Sequence, residues 1–220
     1  MGYSEKGLAK RLMSIYDALY AHFGPQYWWP ADTDIEMIVG AILTQNTAWT
    51  NVEKALAMLR KYNALEIETL YRVPEQRLAT LIQSSGFFQL KARRLKALIH
   101  FIFSAYEGSL IRMFAESPQV LRERLLGVNG VGPETADSIL LYAGRFPIFV
   151  VDAYTRRVFL RHHLIRKSDG YRETQASVMR ALPQHVPLFN EYHALLVRVA
   201  KTYCKKGEPN CEACPLNRFL

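Results

Sequence analysis

Cysteine is scarce in this 220-residue chain, and its three copies all lie between Cys204 and Cys214. A set so small, odd and clustered excludes a disulfide framework and points to metal or to chance. No apolar run approaches the roughly 18 residues of a membrane span, although half of the residues are apolar. Residues 1–10 are polar and lack the apolar stretch of a secretory leader, so a cytoplasmic protein is expected, nucleoid-associated in a bacterium. Also missing are alternating strand patterns, two-residue hairpin turns, low-complexity tracts and internal repeats. What remains is an all-α class of about ten helices with short connections.

Acidic residues are outnumbered, 20 against 28 Lys and Arg, for a net charge of +8. The excess is spread over Lys91/Arg93/Arg94/Lys96, Arg156/Arg157/Arg161 and Lys201/Lys205/Lys206. A spread of this kind suits a folded basic surface rather than a flexible arm, and nucleic acid is the commonest partner of such a surface.

Apolar residues recur at helical spacing. Leu8, Leu12, Ile15, Leu19 and Phe23 mark a first helix that Gly24-Pro25 stops. Ile35, Ile38, Val39, Ile42 and Leu43 mark a second. Thr50 and Glu53 read as a capping box ahead of Val52, Leu56 and Leu59. Pro74 opens a helix that Gly86 ends, and Leu95, Leu98, Ile99 and Ile102 mark a longer one. Residues 147–151 are apolar and extended in character, Asp152 stands where an N-cap would, and two helices are predicted over 171–182 and 188–203. Residues 35–146 are expected to form one helical bundle, and residues 1–34 with 147–220 a second lobe.

The densest signal is Leu125-Leu126-Gly127-Val128-Asn129-Gly130-Val131-Gly132-Pro133-Glu134-Thr135-Ala136. Glycines let a backbone turn sharply and approach a ligand closely, and Pro133 suits a first helical position. Amides at the start of the following helix suit a phosphate oxygen. Gly127, Val128, Gly130, Gly132 and Thr135 are therefore the candidate phosphate-binding residues. The alternative is an ordinary helix–helix turn.

The hairpin, followed by Phe149-Val150-Val151-Asp152-Ala153-Tyr154, resembles the helix-hairpin-helix DNA glycosylase superfamily, of which endonuclease III is the familiar member. The likeness runs from Ile35 to Cys214 and implies a two-lobed all-α fold acting as a monomer on double-stranded DNA with damaged bases. It implies that Asp152 is the catalytic carboxylate and that Gln45, in Leu43-Thr44-Gln45-Asn46-Thr47, plugs the space left by an extruded base. A cleft between the lobes would hold Gln45, Glu134 and Asp152. Members that cleave the strand carry Lys where this chain has Glu134, and a carboxylate cannot form their Schiff base. Base removal by water without lyase activity is the expectation.

Trp28-Trp29-Pro30, with Trp49, offers flat electron-rich faces for a flipped base, a positively charged alkylated purine above all. For any single tryptophan, core packing is the plainer reading. Trp-Trp-Pro with Gln-Asn-Thr and Val-Asp-Ala-Tyr resembles the 3-methyladenine DNA glycosylase III branch. That likeness adds Lys201 and Glu134 to the pocket, while His193 reads as structural. Two rival functions stay open: removal of mismatched or deaminated bases such as uracil, and DNA binding without catalysis.

Cys204-x6-Cys211-x2-Cys214 matches the first three ligands of the superfamily's [4Fe–4S] motif. The fourth position is Leu220. A cluster with a non-cysteine or open site, a motif without metal, and a longer natural chain all remain, with a structural cluster slightly favoured.

Overall fold

The computed structural model describes residues 4–28 and 31–220. The described residues form helices and connecting turns, without a strand. The helices are α1 (Glu5–Phe23), α2 (Asp34–Leu43), α3 (Trp49–Lys61), α4 (Ile67–Arg72), α5 (Glu75–Leu81), α6 (Phe88–Tyr106), α7 (Leu110–Phe114), α8 (Pro118–Leu126), α9 (Pro133–Ser138), α10 (Ala153–Arg161), α11 (Tyr171–Ala181) and α12 (Val186–Thr202). The chain divides into two compact units, Ala31–Phe146 and Met1–Pro30 with Pro147–Leu220.

In the Ala31–Phe146 unit, α2 is apolar nearly all round and buried from Ile35 to Leu43. A helix of that kind needs cover on every side. It packs against α3, α6, α9 and the wider π-helical turn Ile139–Ala143 that prolongs α9. Glu36, in the first turn of α2, is 2% exposed and accepts from Arg60. The long α6 packs against α2, α4, α5 and α7 through Leu95, Leu98, Ile99 and Ile102, all fully buried.

The expected capping box is absent. Ala48 takes the cap position of α3, two residues before Thr50, and Thr50 and Glu53 are exposed. The short helices α4 and α7 carry too few residues to show a period, so periodicity missed them.

One buried ion pair joins the two helices flanking the glycine turn. Arg122 of α8 donates to both oxygens of Asp137 in α9, at 2.6 and 3.0 Å, and the Asp137 side chain is wholly buried. Removing one partner of such a pair strands the other charge. Asp137→Ala is expected to destabilise the fold by about 3–5 kcal/mol, read from the urea midpoint. A shift below about 1 kcal/mol would mean the pair is incidental to stability.

In the other unit, α1 packs on α11 and α12, and α10 packs on α12. The segment before Asp152 belongs to no helix, and its Phe149 and Val150 are fully buried. Phe149 meets Phe159, Phe189 and Tyr192 edge-on or stacked, at ring distances of 5.4 to 6.3 Å. Two polar bonds tie this core together: Tyr192 donates to Leu12 O at 2.8 Å, and Gln175 to Phe149 O at 2.7 Å.

Several cations of the expected basic surface point elsewhere. Lys91 is 1% exposed and donates to Leu43 O and Ser85 O. Lys96 donates to Leu70 O, Tyr71 O and Val73 O just beyond α4. Arg156 bonds the carbonyls of Lys167 and Asp169, and Arg157 those of Ala200 and Cys204. Helix C-termini leave carbonyls unpaired, and cations complement them. The charge that sequence assigned to DNA is here partly used to finish helices.

Candidate active site

In the Ala31–Phe146 unit, buried Leu121 and Leu125 seat α8, and Gly127 ends it. The chain reverses with Val131 N–H donating to Val128 O at 3.0 Å. Gly130 has φ +85°, a left-handed value that favours glycine. A Cβ there would also collide with Cβ, Cγ and Cδ of Arg94 on α6. Gly132 then caps α9 without a side chain to offer its first amides, and Pro133 opens the helix. Gly127, Gly132 and Glu134 are exposed, while Val128 and Gly130 are half-buried. Thr135 is buried, with its hydroxyl turned inward.

That hydroxyl is occupied by Gln45. From the turn after α2, the Gln45 amide nitrogen donates to Gly130 O and to Thr135 Oγ1, each at 3.0 Å. Its oxygen accepts from Arg94 Nη1 at 2.5 Å. The expected plug residue is thus held against the hairpin. Trp49 lies in this unit too, half-buried at the start of α3.

Asp152 lies in the other unit and caps α10, accepting from the Thr155 amide at 2.6 Å. Its second oxygen is 3.4 Å from His193 Nε2 on α12, and the Asp152 side chain is 11% exposed. Burial pushes the Asp152 carboxyl up, but His193 and the hydrogen bonds of Thr155 outweigh it and hold the pKa below its ordinary value. The Trp28 ring stands edge-on to His193, with centroids 6.2 Å apart. Lys201 is exposed, its ammonium 5.6 Å from the centre of the Tyr154 ring in the first turn of α10. Trp29 lies outside the described residues.

The sequence gives no sign that His193 meets Asp152 or that Arg94 meets Gln45. Neither has a local signature. Folding joins His193 to a carboxylate 41 positions earlier, and Arg94 to an amide 49 positions earlier.

A family model described as HhH-GPD superfamily base excision DNA repair protein matches residues 39–184, well over half of the chain. The chain belongs to that superfamily. The Methanocaldococcus jannaschii protein named "Putative DNA repair glycosylase" is 44% identical over 210 residues, covering 94% of each chain. Endonuclease III of Bacillus subtilis is 28% identical over 182 residues, 82% of this chain and 78% of that one. Among solved structures, the H. pylori 3-methyladenine DNA glycosylase bound to 1,N6-ethenoadenine is 28% identical, with a TM-score of 0.74 over 90% of this chain and 98% of that one. An endonuclease III–DNA complex shares the fold, with a TM-score of 0.81 at 22% identity over 96% and 94% of the two chains. The protein is a DNA glycosylase of base excision repair with an endonuclease III-like helix-hairpin-helix fold.

The superfamily's iron–sulfur cluster fits this chain poorly. Cys204 is buried, and Cys211 and Cys214 are half-buried. Burial pushes the Cys214 thiol up, partly offset by a backbone hydrogen bond at Leu216, and the neighbouring Cys204 and Cys211 add to the rise. These are three sulfurs where a cluster takes four thiolates. Leu220, at the fourth spacing, is 60% exposed and offers no donor side chain. Cys204 Sγ accepts from Arg161 Nη1 at 3.1 Å. Among the described residues no group of three His, Cys, Asp or Glu is arranged to hold a metal. Cys204, Cys211 and Cys214 thus supply three of the four thiolates that such a cluster takes.

The tail is closed by other contacts. Leu216 and Phe219 are buried, Arg11 and His162 bond Phe219 O, and Arg161 donates to Lys205 O at 2.7 Å. Cys211→Ser is therefore expected to move stability by no more than about 0.5 kcal/mol in a thermal melt. Loss of folding would restore the metal-bound reading.

Proposed function

We propose that this glycosylase is monofunctional and hydrolyses the N-glycosidic bond of flipped-out alkylated purines such as 3-methyladenine. The observation that carries the reading is Asp152, its side chain only 11% exposed, held ionised and paired with His193. As the C1′–N bond breaks, its electron pair leaves with the base and the sugar becomes cationic. The Asp152 carboxylate stabilises that cation and accepts a proton from the attacking water. A base already carrying positive charge departs neutral and needs little acid assistance.

Trp28, Trp29 and Lys201 of one unit, and Trp49 and Glu134 of the other, are each assigned to contact with the extruded base, and Gln45 to the vacated stack. The backbone at Gly127, Val128, Gly130, Gly132 and Thr135 receives phosphate oxygens of double-stranded DNA, bound by a monomer. Support for the alkylpurine substrate comes from the likeness to the H. pylori 3-methyladenine DNA glycosylase.

Absence of lyase chemistry rests on Glu134. Lys91, whose amine is lowered to about 8 by burial and then by Arg94, is no substitute nucleophile. It is 1% exposed and donates to two carbonyls. The test is release of 3-methyladenine from methylated duplex DNA without strand cleavage. Release with concurrent cleavage overturns the monofunctional part, and no release overturns the substrate.

Lys205 and Lys206 are exposed beside the tail and are assigned to DNA phosphates. Replacing both by Gln is expected to weaken DNA of every sequence alike. The slope of log K against log salt should become shallower by about 2. An unchanged slope would place the tail away from DNA.

A further inference from the structure

The plug residue is not free in this fold: every hydrogen of its amide nitrogen is bonded, and its amide oxygen is held by Arg94. The Arg94 stem lies on Gly130, where any side chain on the hairpin would displace it. Three segments distant in sequence therefore meet at one amide: the turn after α2, the middle of α6, and the phosphate-binding hairpin. Arg94 is half-buried, and its guanidinium is directed by the stem that Gly130 makes room for. The neighbouring cations Lys91 and Lys96 are bonded to carbonyls that end other helices, whereas Arg94 bonds the Gln45 side chain.

We propose that Arg94 is a positioning residue for base extrusion, which presets Gln45 on the hairpin so that the grip on phosphate and the filling of the stack occur in one register. This rests on the reading of Gln45 as the plug. A glutamine side chain carries several rotors, and ordering it costs free energy on every encounter with DNA. Held beforehand by Arg94, Gly130 and Thr135, it meets the duplex already ordered, and that cost does not fall on the flipping step. Because Arg94 keeps Gln45 Oε1 occupied, Nε2 is oriented toward the hairpin carbonyl, so the amide has one orientation instead of two.

The variant that isolates the guanidinium is Arg94→Met, which keeps an unbranched stem over Gly130. The probe is a duplex with a tetrahydrofuran abasic analogue opposite 2-aminopurine, whose fluorescence reports stacking at the gap without requiring catalysis. Wild type, Arg94→Met, Gln45→Ala and the double variant are compared by stopped flow, with melting temperature as a control on folding. Expected is about a tenfold slower fluorescence change in Arg94→Met at an unchanged melting temperature, and no further loss when it is added to Gln45→Ala.

Equal losses from Arg94→Met in both backgrounds would show an independent contact with DNA and overturn the proposal. So would a wild-type rate in Arg94→Met while Gln45→Ala is slow. A wild-type rate in Gln45→Ala overturns the plug reading itself, and the role of Arg94 with it. Should Arg94→Met lose its fold, Arg94→Leu decides. It keeps an apolar stem but has no donor for Gln45 Oε1, and wild-type kinetics from it would overturn the proposal.

Discussion

Asp152→Asn is expected to lower base release by about 10²–10⁴-fold while leaving DNA binding and folding in place. The isostere is chosen for its local consequences. Asn caps helices as well as Asp, so its side-chain oxygen still accepts the Thr155 amide and α10 keeps its first turn. What disappears is the negative charge facing His193 and the developing sugar cation. Single-turnover release of 3-methyladenine, with wild type beside the variant, measures the loss. Release by the wild type alone establishes reaction and carboxylate together. Equal release by both would remove Asp152 from the mechanism. No release by either would move the substrate to uracil or mismatched bases, to be assayed next on the same pair of proteins.

The sign of the pH dependence follows from the depressed carboxyl. Asp152 is ionised across the neutral range and stays so below its unfolded pKa of about 3.9. The stability it contributes is complete above that unfolded value and is lost as pH falls through the lower, folded one. Release should therefore show no acid limb from Asp152 between about pH 5 and 8. A limb inside that window would mean the carboxyl is raised, as burial alone would raise it.

Glu134→Lys is expected to convert a protein that borohydride cannot trap on DNA into one that it can. Glu134 is exposed at the second position of α9, so substitution costs little stability. A helix N-terminus disfavours a nearby ammonium and lowers its pKa, which increases the fraction of free amine. That amine attacks C1′ as the base departs, the C1′–O4′ bond then opens to give an imine and a free 4′-hydroxyl, and borohydride reduces the imine to a stable secondary amine. Gel mobility of DNA-bound protein reads the adduct. Wild type should give background only. A strong wild-type adduct would refute hydrolysis by water alone, and Lys201, exposed over Tyr154, would be the amine to replace next. Failure of Glu134→Lys to trap while still releasing base would show that position 134 does not reach the sugar.

Determinants that act within a turn or two were legible in the chain itself. Apolar spacing marked α1, α2 and α6, because a helix repeats its buried face every few residues whatever lies opposite. The glycine turn and the Asp152 cap were legible for the same reason: a positive φ at Gly130 and a capping bond to Thr155 are settled within four residues. The family likeness covers residues 39–184, a range that includes the glycine turn and Asp152.

Tertiary structure alone decided where side chains with several possible partners would go. Thr50 and Glu53 had the right spacing for a box, yet α3 begins at Trp49 and leaves them in solvent. Arg157 and Lys96 had the charge for DNA, but carbonyls left over at helix ends lie within their reach. Gln45 is joined to Gly130 and Thr135 across 85 and 90 positions, and His193 to Asp152 across two helices. A long polar side chain bonds whichever complementary group folding brings near, and its own sequence neighbourhood does not encode that group.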